Sequence, residues 1–152
     1  MPHEGRLLMV EDDKKWENEL RGLLSDRPYK MMMAQTLPQA RGLLKDHVFD
    51  VVLLDLRLKD WEDSNFDGWR LLEDLRPATE EQGTQVIIVT AYGTIEHVRD
   101  AFKKHQIVDF FQKQHLAERE DEFRQAVATA VDRAYSVRDS ILAAKYPAKK
   151  KK

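Results

Sequence analysis

The chain has 152 residues, 42% hydrophobic and 34% charged, with 25 basic and 27 acidic side chains and a formal net charge of -2. That is enough chain for one domain with a real core, and without Lys149, Lys150, Lys151 and Lys152 the body is four charges more acidic, which gives it no footing for binding a polyanion. Zero cysteines exclude a disulfide scaffold, a thiol nucleophile and cysteine-based metal sites, and no apolar run approaches the roughly 20 residues of a spanning helix, so a soluble, cytoplasmic domain with no membrane partner is expected.

Short apolar runs alternate with helical stretches along the chain. Leu7-Leu8-Met9-Val10 reads as a strand that stops at Glu11-Asp12-Asp13, and a helix follows with Trp16, Leu20, Leu23 and Leu24 at three-and-four spacing. Arg27-Pro28 closes it, because the residue before a proline is pushed out of helical geometry. Tyr29 to Ala34 reads as a short strand, and Thr36 as the N-cap of a helix carrying Ala40, Leu43 and Leu44. Phe49 to Leu54 is apolar apart from Asp50 and ends at Asp55, the unalternating pattern of a central strand covered on both faces. A polar loop from Arg57 to Phe66 leads to a helix opened by Asp67-Gly68, carrying Trp69, Leu71, Leu72 and Leu75 and stopped by Pro77. Gln85 to Val89 is a second central strand, ending at Thr90. A helix from about Thr94 to His105, a strand from Ile107 to Phe111 leading to Lys113, and a last helix from about Leu116 to Ala144 complete the order. Five strand–helix units in alternation predict an α/β fold: an open parallel sheet with helices on both faces. None of the six glycines approaches a phosphate-cradling GxGxxG or Walker spacing.

Polar chemistry collects where the strands stop: Glu11 and Asp12, then Asp55, then Thr90, then Lys113. In an open parallel sheet, ligands bind beyond the carboxyl ends of the strands, where strand order reverses. If the first and third strands flank that point, three carboxylates converge and either protonate or share a cation. Oxygen ligands without cysteine favour a magnesium-type ion. A hydroxyl and an ammonium on neighbouring strands can then hold an anion, and a phosphoryl group fits best. Each residue also has a bland reading: Asp12 or Asp13 as a helix cap, Asp55 as a loop acid, Thr90 as a strand residue, Lys113 as a solvated lysine. It is their coincidence at four strand ends that argues for a site.

Val10-Glu11-Asp12-Asp13, Phe49-Asp50-Val51-Val52-Leu53-Leu54-Asp55-Leu56, Asp67-Gly68, Val86-Ile87-Ile88-Val89-Thr90-Ala91 and Asp109-Phe110-Phe111-Gln112-Lys113 together resemble a response-regulator receiver domain, in order and spacing. The resemblance implies a flavodoxin-like, doubly wound five-stranded parallel sheet in the order 2-1-3-4-5. It implies that Asp55 accepts a phosphoryl group from a histidine kinase or phosphotransfer protein. Glu11, Asp12, Asp55 and the backbone carbonyl of Arg57 would hold Mg2+. Thr90 and Lys113 would contact the phosphoryl oxygens, and Thr90 and Phe110 would form the switch. On this reading residues 1–133 are the receiver domain, and 134–152 are a C-terminal helix extension with a lysine tail.

Several positions depart from the family pattern. Gln114 stands where receivers commonly have a cis proline, so a trans bond and a differently shaped loop are expected. The loop after Asp55 is longer than usual, with Lys59 in place of its usual proline and with Trp61, Glu62, Asp63 and Phe66 placed to project near the acceptor, either as a tolerated insertion or as a partner contact. Arg57 and Tyr92, two positions after Asp55 and Thr90, flank the path of a hydrolytic water and predict slow self-dephosphorylation.

The expected function is a phosphorylation-controlled signalling module of a two-component system, not an enzyme in the ordinary sense, with an unnamed downstream protein and no output domain or nucleic-acid partner in this chain. The alternative is an interaction or dimerisation module that keeps the fold without the switch. A phosphate-ester hydrolase is disfavoured because Arg57 stands two residues after Asp55, where an Asp-x-Asp pattern needs an acid. In the last helix Phe123, Val127, Ala130, Ala134, Val137, Ile141 and Ala144 follow a four-three spacing. The part after about Ala134 is expected to leave the domain and pair in a homodimer, or else to pack back on its own domain.

Overall fold

Five strands form one parallel sheet in the order β2-β1-β3-β4-β5: β1 (Arg6–Val10), β2 (Lys30–Ala34), β3 (Val51–Leu54), β4 (Gln85–Thr90) and β5 (Ile107–Gln112). The computed structural model describes residues 4–56, 67–91 and 95–147, apart from the side chains of Asp67, Ile95 and His97. Among them six α-helices follow the strands: α1 (Lys14–Leu23), α2 (Leu37–Asp46), α3 (Asp67–Asp74), α4 (Arg76–Gln82), α5 (Ile95–Lys104) and α6 (Glu120–Lys145). The doubly wound α/β architecture and the 2-1-3-4-5 order expected from the sequence are those observed. No helix among the described residues is long and apolar enough to cross a membrane.

The continuous apolar runs conceal a period of two. Leu8, Val10, Val52, Leu54, Val86 and Ile88 enter one core with Ala40 of α2, Leu71 of α3 and Ala101 of α5. Leu7, Met9, Val51, Leu53, Ile87 and Val89 enter the other with Leu20 of α1 and Phe123, Val127 and Ala130 of α6. Because both faces are covered, neither β3 nor β4 shows polar alternation. In β5 a bulge intervenes: Val86 pairs with Ile107 but Ile87 with Asp109, leaving Val108 as the extra residue. The shift sets Phe110 beside Ile88 and Phe111 beside Val89, where Phe111 meets Phe123 edge to face with centroids 5.2 Å apart. It also sets Gln112 opposite Thr90, so that Lys113 is the first residue beyond the sheet.

Two elements differ from the sequence expectation. Pro77 does not simply stop a helix; α3 ends at Asp74, and a second helix, α4, begins at Arg76 with the proline in its first turn. A missing N–H costs nothing there, since the first N–H groups of a helix have no intrahelical acceptor. The last helix starts at Glu120 rather than near Leu116, because Lys113–Glu118 form a 3-10 helix first. Glu120, Asp121 and Glu122 then occupy its first turn, where the helix dipole favours acids. The Lys113-Gln114 bond is trans, as no cis peptide occurs among the described residues.

Helix α6 holds its own domain further along than Ala134. Ala134 is fully buried, and Gly83, at φ 76, ends α4 so close to α6 that a Cβ there would lie 2.9 Å from the Ala134 carbonyl oxygen. One turn later Arg138 reaches under the sheet, pairing with Asp50 at 3.0 Å and donating from Nε to the Gln82 carbonyl at 2.9 Å. Past that clamp Leu142 and Tyr146 are exposed.

Candidate functional site

Register builds the site. Val10 pairs with Leu54 and Leu54 with Ile88, so the residues after β1 and β3 come beside the last residues of β4, which runs on to Thr90, in the crevice where strand order reverses between β1 and β3. Glu11 follows β1 and is buried, and Asp12 beside it is partly exposed. Asp55 follows β3 and is only 2% exposed, while Thr90, closing β4, has no exposure at all. Lys113, just past β5, is 4% exposed. For a lysine that burial is rare without partners, and two carboxylates supply them.

The hydrogen bonds converge on Asp55. The Thr90 hydroxyl donates to Oδ1 at 2.6 Å, and Lys113 Nζ donates to Oδ2 at 2.8 Å. Lys113 Nζ also lies 2.6 Å from Glu11 Oε2, while Glu11 Oε1 accepts the Asp13 backbone N–H at 3.1 Å. Asp13, not Asp12, caps α1: its Oδ1 accepts the Lys15 N–H at 2.9 Å. Asp12 belongs to the acidic cluster instead. One carboxylate oxygen each from Glu11, Asp12 and Asp55 lie within 4.8 Å of one another.

Three acids facing one ammonium leave the cluster with surplus negative charge. Burial, reinforced by the Asp55 charge, pushes the Glu11 carboxyl up to about 8, with Lys113 pulling against both. Burial acts to lower the Lys113 pKa, but the charges of Asp55 and Glu11 outweigh it and leave the ammonium held above its ordinary value. A carboxyl pushed that high beside two others is what a hard divalent cation would relieve. The donor set, all carboxylate oxygens and no sulfur, suits magnesium.

Of the residues singled out from sequence, Glu11, Asp12, Asp55, Thr90 and Lys113 come together. Phe110 stands apart from them, half-buried against the β4 face that carries Ile88. Arg57, Tyr92, the loop carrying Lys59, Trp61, Glu62, Asp63 and Phe66, and the lysine tail lie outside the described residues. Two participants had no site role in the sequence reading. Gly68 opens α3 against the backbone of Asp55 and Leu56, so close that a Cβ would meet the Leu56 carbonyl carbon at 2.6 Å. Trp16, read from sequence only as part of the apolar face of α1, lies over the Lys113 ammonium with 5.2 Å from Nζ to the ring centroid. Its nearness in sequence to Asp12 was the available signal.

A family model described as response regulator receiver domain matches residues 7–128. The alginate biosynthesis transcriptional regulatory protein AlgB of Pseudomonas aeruginosa is 35% identical over 100 residues, which are 66% of this chain and 21% of that protein. The transcriptional regulatory protein CusR of Escherichia coli is 32% identical over 92 residues, 60% of this chain and 37% of that protein. The chain thus spans between about a fifth and a little over a third of the length of these relatives. A CheY-like response regulator receiver domain protein from Methanospirillum hungatei has the same fold, with a TM-score of 0.71 at 21% identity over 89% of this chain and 99% of that one.

Proposed function

The chain belongs to the response regulator receiver domain family, and from that premise we propose that Asp55 accepts a phosphoryl group from a histidine kinase or phosphotransfer protein in a magnesium-dependent step. The observation that carries this reading is the buried Asp55 carboxylate, with one oxygen on the Thr90 hydroxyl and the other on the Lys113 ammonium. An Asp55 oxygen attacks the phosphorus of a phosphohistidine. The new P–O bond forms as the P–N bond breaks, and the imidazole departs with the electron pair and takes up a proton. Like charges oppose that approach, and Lys113 offsets the repulsion from one side. Glu11, Asp12, Asp55 and the Arg57 carbonyl would hold Mg2+, which supplies charge neutralisation at the transferring oxygens. The acyl phosphate is more negative than the aspartate it replaces. Thr90 turns its hydroxyl toward it, and Phe110 moves into the space released.

The downstream partner then reads the face made by α5, β5 and α6, where Phe102 is 45% and Val108 38% exposed. Self-pairing through α6 is confined to the residues after the Arg138 clamp, because Phe123, Val127, Ala130 and Ala134 are buried in the domain itself. Intact mass after treatment with acetyl phosphate and Mg2+ tests the central step. Wild type should gain one phosphoryl group, only with the metal, and Asp55→Asn none. Undiminished labelling of Asp55→Asn, or no labelling of wild type, would overturn the assignment.

A further inference from the structure

We propose that Trp16 is a positioning residue for phosphoryl transfer, holding the Lys113 ammonium beside Asp55 through its indole face. The proposal rests on the phosphoacceptor reading of Asp55. Lys113 Nζ has a carboxylate on two sides, Glu11 Oε2 at 2.6 Å and Asp55 Oδ2 at 2.8 Å, and the Trp16 ring at 5.2 Å. Its side chain is 2% exposed, so these neighbours rather than water solvate the charge. Trp16 is presented by the first turn of α1, whose start is fixed by the Asp13 cap directly after Glu11 and Asp12. The same backbone turn therefore aims Glu11 and the indole at one ammonium.

The chemistry explains why an aromatic face suits that position. With a cation held by Glu11, Asp12 and Asp55, Glu11 would share its charge with the metal, and the ammonium would keep less of one of its two anionic partners. A third carboxylate in place of the ring would capture Lys113 and compete with the incoming phosphoryl oxygens. The indole quadrupole attracts a cation without neutralising it, and it has no lone pair to take a proton. Lys113 thus keeps its place and its full charge while its anionic partners change. Trp16 is also half-buried against the α1 and α6 core, so a purely structural role would depend on its bulk rather than its π face.

The experiment follows Asp55 phosphorylation over a range of acetyl phosphate concentrations at saturating Mg2+ in wild type, Trp16→Phe and Trp16→Leu, each with its unfolding free energy measured alongside. The expected result is a maximal rate about fivefold or more lower in Trp16→Leu with an unchanged half-saturating donor concentration, and Trp16→Phe within about twofold of wild type. In a Trp61→Phe, Trp69→Phe background, where Trp16 is the sole tryptophan, emission should shift on Lys113→Met. Equal maximal rates for Trp16→Leu and wild type would overturn the proposal while leaving the phosphoacceptor reading intact. So would equal slowing of both Trp16 variants, or emission indifferent to Lys113→Met. Failure of wild type to label would overturn the phosphoacceptor reading, and the proposal with it.

Discussion

Arg138 offers the sharpest test of how the last helix is held. Its guanidinium pairs with Asp50 at 3.0 Å and donates to the Gln82 carbonyl at 2.9 Å, while Asp50, with its side chain 4% exposed, also accepts the Arg6 N–H at 2.8 Å. Arg138→Met keeps most of the side chain's apolar length but strands a buried carboxylate with one partner and leaves a carbonyl without its donor. Breaking a fully buried ion pair costs about 3–5 kcal/mol. Here the Arg138 side chain is 24% exposed, so water can reach part of the vacated space. A loss of about 2–3 kcal/mol is expected, since hydrogen bonds to charged groups contribute roughly 1.5–3 kcal/mol each. For a chain of this size that lowers the melting temperature by roughly 4–12 °C, at about 2–4 °C per kcal/mol. Urea titration of wild type, Arg138→Met, Asp50→Asn and the double mutant measures it, and the pair should couple by about 1 kcal/mol or more. A truncation after Arg133 removes the clamp and should lose at least as much, which also tests the proposed boundary between residues 133 and 134. An Arg138→Met protein within about 0.5 kcal/mol of wild type, or a strictly additive cycle, would refute the reasoning.

Gly68→Ala should cost about 2–4 kcal/mol in urea titration and slow Asp55 labelling, because its Cβ would press on the backbone of Asp55 and Leu56, and the Gly68 N–H bond to the Leu56 carbonyl at 3.2 Å would be strained; an unperturbed variant would show that α3 does not seat there. His105 has its pKa lowered by burial, with Glu73 opposing and Arg76 and Lys104 assisting. The native state therefore binds fewer protons there than the unfolded chain, so this stability is full above about pH 6.5 and falls as pH drops below it. His105→Gln should flatten the stability profile as pH falls below about 6.5, and an unchanged slope in paired melts would count against it.

The fold was legible because each strand is a short apolar run and each helix carries a period near 3.6. The order of the sheet came from the resemblance rather than from periodicity. What stayed hidden were features in which one residue type serves two ends. Pro77 reads as a stop, yet it starts α4 equally well. The bulge at Val108 could not be seen in a run whose one charge, Asp109, sits between apolar pairs, and without it a simple alternation would place Phe111 with Ile107 and turn Phe110 to the other face. The acids at Glu120, Asp121 and Glu122 mark the true start of α6, a signal that the expectation of a helix from about Leu116 did not use.

The site was legible residue by residue, because parallel strands deliver their carboxyl ends to one edge and each functional group stands at such an end. Its internal wiring was not. Asp50 was the one charge in an otherwise apolar run, and a buried charge demands a partner. Nothing in the sequence says that the partner is Arg138, on the final helix. Trp16 likewise satisfied the apolar face of α1 so completely that the helical spacing shows nothing of its second contact, with Lys113, and only its nearness to Asp12 pointed that way. Both cases follow from the same physics: periodicity reports which side of an element is buried, and cannot report which charge meets it there. The two unread contacts sit at opposite ends of the sheet. Trp16 faces the ammonium beside Asp55, and Arg138 ties α6 to the sheet's base. Helix α6 joins the two ends, since its Phe123 packs edge to face on Phe111, two residues before Lys113.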